Sequence, residues 1–126
     1  MALRTPVKDA LGLGSAKDGV HHWWVQRLTA VALVPLVLWF AFGLAVNAGG
    51  GYEAMHAWVG GPVNAVALII FIAAAFHHTQ LGVQVVLEDY VHHEGLRLIS
   101  IVVVKFLAVI LALAGIFAVL SIALGG

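Results

Sequence analysis

Three long runs without strong charge, separated by short polar breaks, organise the sequence. Residues 28–46 read LTAVALVPLVLWFAFGLAV, long enough at about 1.5 Å per residue to cross a hydrocarbon layer of roughly 30 Å as one helix. Trp23 and Trp24 stand just before it, where amphipathic rings favour the membrane–water boundary. Pro35 removes one backbone donor inside this span, which a membrane helix tolerates through a local kink. Residues 47–61 hold a Gly-Gly-Gly run and a single charge, Glu53, and predict a loop with a short interfacial helix around residues 52–59. Pro62 suits the first turn of a helix, and residues 62–87 then stay uncharged for longer than the hydrocarbon layer requires, which predicts a tilted second span that exits at Glu88 and Asp89. A third apolar run covers residues 98–124, interrupted by Ser100, Lys105, Gly115 and Ser121. With their flanks the helices are expected over about 24–47, 62–89 and 97–124, a domain of residues 23–126 behind a tail of residues 1–22.

Composition agrees with an all-α membrane protein. Of 126 residues, 63% are hydrophobic and 10% charged, and the mean hydropathy is +1.06, far from the roughly one-quarter charged balance of soluble domains. Three crossings consume about 60 residues, which excludes a large soluble catalytic domain. The formal net charge of zero gives no footprint for nucleic acid. The lack of cysteine rules out disulfides, thiolate zinc sites and iron–sulfur clusters within the chain.

Charge placement sets the expected topology. Arg4, Lys8, Lys17 and Arg27 precede the first span, Arg97 and Lys105 lie near the start of the third, and residues 47–61 carry no basic residue. By the positive-inside tendency the N-terminus and the second loop face the cytoplasm, and the C-terminus lies on the periplasmic side. Lys105, about two turns into the third span, is read as a snorkelling anchor. The first 22 residues contain Asp9 and Asp18 and no apolar core, so they read as a native cytoplasmic tail and point to a bacterial inner membrane. Three helices alone form neither a wide pore nor the paired halves of a transporter, so partner helices are expected.

Polar groups within a span must face a partner, a cofactor or water. His77, His78, Thr79, Gln80 and Gln84 form a polar band in the second span, with Asn64 near its opposite end. Neighbouring helix positions diverge by about 100°, so His77 and His78 cannot both address one small target. His78, Gly82 and Asp89 follow spacings of four and seven along one face, and the missing side chain at Gly82 leaves room for a flat group or a neighbouring helix. Two readings of His78 stand: axial ligation of haem, or a hydrogen bond to another helix. His77 reads as a helix–helix contact or a support for the ligand.

Depth decides whether one chain could supply two axial ligands. His78 lies eleven residues before Asp89, about 16 Å along the helix axis, whereas His21 and His22 precede the first span at that same surface. A second ligand is therefore expected from another subunit. His56 lies in the outer loop, and His92 and His93 read as solvated. At the exit of the second span, Tyr90 and Asp89 read either as a hydrogen-bond donor and a proton-handling carboxylate for a quinone or as ordinary interfacial residues. Arg27 is either a topology anchor or a bidentate partner for an anionic cofactor group.

The segment HTQLGVQVVLEDY at residues 78–90, with RLTAVAL at residues 27–33, resembles the hydrophobic membrane anchor subunit, the smaller of the two anchors, of succinate dehydrogenase (succinate:quinone oxidoreductase, respiratory complex II). The resemblance runs from about Trp23 through the third span. It implies that His78 is the haem b axial ligand, with the opposing ligand on the companion cytochrome b556-type anchor subunit. It implies that Tyr90 hydrogen-bonds ubiquinone beside Asp89, and that Arg27 lies near the haem propionates. Electrons would reach ubiquinone from succinate through a flavoprotein subunit and an iron–sulfur subunit, with no catalysis by this chain alone. Three alternatives stand beside it: a fumarate reductase anchor working with menaquinol, a haem-free helical assembly or transport accessory, and a proton-channel subunit using His78 and Asp89.

Overall fold

The computed structural model describes the backbone of residues 13–125 and side chains from Gly19 onward. Among the described residues four α-helices follow one another: α1, Leu13–Asn47; α2, Gly51–Gly60; α3, Pro62–Tyr90; and α4, Glu94–Gly125. A single 3-10 turn, Ala48–Gly50, joins α1 to α2. Three stretches, Gly19–Gly60, Pro62–Tyr90 and Glu94–Gly125, are long and apolar enough to cross a membrane. The expected three-span, all-α architecture is what forms.

Most helix boundaries match the hydropathy pattern, and the differences have physical causes. The interfacial helix expected at residues 52–59 is α2, and Pro62 occupies the first turn of α3 as expected. Gly51 carries φ of +70°, a left-handed conformation that glycine adopts without a Cβ penalty, which lets the Gly-Gly-Gly run turn the chain into α2. The described part of α1 begins at Leu13, ten residues before the expected domain edge at Trp23. Hydropathy marks where a chain meets lipid, whereas a helix continues into water until a breaker stops it, and residues 13–22 contain no proline. Of the expected tail at residues 1–22, residues 1–12 lie outside the described residues and residues 13–22 belong to α1. Pro35 sits inside α1, which continues past it to Asn47.

α3 is the central element. It packs against both α1 and α4, which do not pack on each other among the described residues, while α2 touches all three. The tightest packing lies toward the α2 end, where Ala65, Leu68 and Val119 are buried and Trp39, Phe40, Trp58 and Phe71 close around them. Ring centroids there lie 5.3 Å apart for Trp39 and Trp58 and 5.0 Å apart for Phe40 and Phe71, the spacing at which aromatic pairs attract. A Cβ at Gly43 would overlap the Trp58 ring, and one at Gly115 would lie 3.3 Å from Ile72, so these glycines let helices approach closely. Elsewhere the large apolar side chains face outward, among them Val31, Phe42, Phe106 and Phe117. That is the inverse of a soluble globule and suits a surface solvated by lipid and partner helices.

Candidate functional site

Polar contacts replace the aromatic core toward the α3–α4 turn. Gln26, Thr29 and Leu33 follow spacings of three and four on α1 and so share a stripe. Across from it, Thr29 Oγ1 lies 3.0 Å from His78 Nδ1. The same hydroxyl lies 2.9 Å from the carbonyl oxygen of Val25 and 3.0 Å from that of Gln26. Of the two uses open to His78, the interhelix bond is present. It engages one ring nitrogen, Nδ1, while Nε2 has no hydrogen-bond partner among the described residues.

Two cavities flank this bond along α1. Toward the α2 end, a cavity of about 390 Å³ is walled by His78 with Ala30, Leu33, Val34, Val37 and Leu38. Toward the helix start, a larger one of about 680 Å³ is lined by Trp23, Gln26, Arg27, Gly82 and Glu88, among others. Arg27 and Gly82, singled out separately in the sequence, thus meet at one cavity. The Arg27 guanidinium lies 5.5 Å from the centroid of the Trp23 ring, a cation–π distance. A Cβ on Gly82 would stand 3.9 Å from Gln26 Nε2, so the missing side chain there widens the cavity rather than relieving a clash. Gln26 Oε1 is buried without a protein partner, an arrangement that calls for a donor from outside the chain.

The two adjacent histidines diverge as helix geometry requires. His77 lines a separate cavity of about 370 Å³ with Gln80 and Lys105, between α3 and α4. Gln80, 7% exposed, donates to Gln84 at 2.9 Å, and Gln84 donates to Glu88 at 2.9 Å. The polar band is therefore a ladder of amides ending on a carboxylate near the α3 terminus.

Asp89 and Tyr90 are exposed at the end of α3, Tyr90 to 77%. Neither lines the His78 or Arg27 cavity. Tyr90 lies twelve residues from His78, about 18 Å along the axis. His93 is more than a solvated loop residue: its Nδ1 accepts from Leu96 N–H at 3.0 Å and caps α4. Asn64 donates to the Trp58 carbonyl at 2.9 Å. Among the described residues no three His, Asp or Glu side chains converge as a metal site; an axial haem ligand needs only one imidazole per chain. Sequence reasoning passed over Thr29 and Gln26. Two polar residues three apart on the stripe that continues to Leu33 were the available signal.

Comparison with known proteins identifies the family. Residues 1–112 match the family described as succinate dehydrogenase/fumarate reductase transmembrane subunit. A succinate dehydrogenase hydrophobic membrane anchor subunit of Rickettsia bellii is 35% identical over 116 residues, 92% of this chain and 93% of the relative. A succinate dehydrogenase membrane anchor subunit of Reclinomonas americana is 32% identical over 96 residues, 74% of this chain and 80% of the relative. The hydrophobic membrane anchor subunit of Paracoccus denitrificans is 35% identical over 86 residues, 68% of this chain and 67% of the relative. No solved structure gives a significant match. With three apolar helices and relatives of this kind, the chain is a multi-pass inner-membrane protein of bacterial type and belongs to the succinate dehydrogenase/fumarate reductase transmembrane subunit family as a hydrophobic membrane anchor.

Proposed function

We propose that this anchor subunit holds haem b jointly with a companion cytochrome anchor subunit, His78 supplying one axial nitrogen, and that Tyr90 and Asp89 contribute to the site of ubiquinone reduction. The observation that carries the reading is the setting of His78: a ring tethered at Nδ1 by Thr29, beside a cavity of about 390 Å³ with aliphatic walls. Haem bound there supplies a one-electron redox centre. Arg27 and Gly82 line the neighbouring larger cavity and not the His78 one; there Arg27 offers a planar cation that suits an anionic propionate at the edge of such a group, and Gly82 leaves space beside it.

The distribution of basic residues favours an N-terminus and an α3–α4 turn on the cytoplasmic side. Tyr90 then stands where a phenol can donate to a quinone carbonyl, and Asp89 can orient it or hold a proton taken from water. Electrons come from succinate through a flavoprotein and an iron–sulfur partner, since a chain without cysteine holds no cluster. Succinate oxidation is favoured over fumarate reduction because the matching relatives carry the succinate dehydrogenase name. The family description covers both directions, and the quinone type in the isolated complex separates them.

The test is an optical spectrum of the complex purified through this chain, for wild type and His78→Ala. Loss of the low-spin b-type bands supports the assignment; an unchanged spectrum moves the ligand to His77 or removes haem from this chain.

A further inference from the structure

We infer that Thr29 is a positioning residue for His78: it fixes the ring's tautomer and orientation, so that Nδ1 carries the proton and Nε2 keeps a free lone pair to donate. The inference rests on the haem reading and adds a residue and a direction of effect to it. A hydroxyl has one hydrogen and two lone pairs. Thr29 Oγ1 lies 2.9 Å from the Val25 carbonyl and 3.0 Å from the Gln26 carbonyl, and both of those oxygens only accept. Its hydrogen must therefore go to the backbone of α1, because an undonated hydroxyl would set two oxygens against each other at hydrogen-bond distance. With the hydrogen on the α1 backbone, one of the two lone pairs faces His78 Nδ1 at 3.0 Å, and that contact is then a hydrogen bond when Nδ1 is protonated.

A relay results: Val25 or Gln26 carbonyl, Thr29 hydroxyl, His78 Nδ1–H. In the neutral imidazole the second nitrogen then bears the lone pair a metal needs. Donation from Nδ1–H pushes electron density toward Nε2 and also locks the ring's rotation, as partners behind metal-bound histidines do. A nitrogen that donates more electron density would stabilise ferric over ferrous iron, so removing the hydroxyl should raise the haem midpoint potential. Losing such a partner costs about 10- to 100-fold in metal affinity.

The experiment uses the purified complex with wild-type chain, Thr29→Val, Thr29→Ser and His78→Ala. Midpoint potential is read by optical titration and haem retention by transfer to an apo-globin. Thr29→Val is expected to shift the potential upward and to weaken retention about 10- to 100-fold, with both returning to wild-type values in Thr29→Ser. A packing role alone would leave the potential of the retained haem unchanged, and an unchanged potential in Thr29→Val overturns the inference. Haem bands that persist in His78→Ala, or that are missing from the wild type, overturn the haem reading itself and with it the role of Thr29.

Discussion

Gly43 on α1 lies beneath the indole of Trp58 on α2, so close that a Cβ there would overlap the ring. This contact pins the short helix across the end of the bundle, and Trp58 in turn packs at a tilt against Trp39 and Phe40. Gly43→Val should force Trp58 off its seat and destabilise the subunit by about 1–3 kcal/mol, the usual range for overpacking. Thermal inactivation of the detergent-solubilised complex measures it. A melting profile equal to wild type would show that α2 is held by something other than this contact.

His93 ends the connection between α3 and α4 with a side-chain cap to Leu96 N–H. Replacing it with alanine leaves that amide without its acceptor and should cost about 1 kcal/mol, whereas His93→Asp should retain the stability because a carboxylate caps equally well. Hydrogen exchange at the first turn of α4 reads the difference directly. Equal protection in His93→Ala and wild type would assign the capping to water.

The amide ladder Gln80–Gln84–Glu88 has its weak point at the middle. Gln84→Leu removes both 2.9 Å bonds at once and strands Gln80, which is 7% exposed. Even interhelical polar contacts in membranes are worth only about 0.6 kcal/mol on average, while an orphaned buried amide costs about 1–3 kcal/mol. Gln84→Leu should therefore be more harmful than the double variant Gln80→Leu/Gln84→Leu, in which no amide is left unpaired. Comparing the two in a denaturation series settles the order.

Tyr90 is 77% exposed at the end of α3, and its hydroxyl has no hydrogen-bond partner among the described residues. Tyr90→Phe should leave assembly and succinate oxidation with an artificial dye intact while slowing quinone reduction. Loss of one neutral hydrogen bond of about 1 kcal/mol corresponds to roughly a fivefold effect. Equal rates with both acceptors, or equal loss of both, would count against a quinone role.

The spans were legible because each is a long apolar run nearly free of charge, even with Pro35 inside the first, and Pro62 marks the start of α3. The extension of α1 back to Leu13 was not, since nothing in residues 13–22 distinguishes a helix in water from an irregular tail by hydropathy. The divergence of His77 and His78 followed from helix geometry, and the structure places them at different cavities. The Thr29 contact was hidden because its partner lies 49 residues away, and pairing across helices depends on rotations that a single-helix pattern does not encode. The His93 cap was passed over because histidine ranks low among capping residues and reads as a solvated loop residue.

If His78 holds haem iron while Thr29 holds His78, both contacts must be visible in one cryo-EM map of the assembled complex, sharp enough to place side chains. The expected result is porphyrin density with the iron about 2 Å from His78 Nε2, the usual metal–imidazole distance, and Thr29 Oγ1 still bonded to Nδ1 on the far side of the ring. Density for porphyrin ligated elsewhere, or His78 surrounded only by helix side chains and lipid, would refute both assignments.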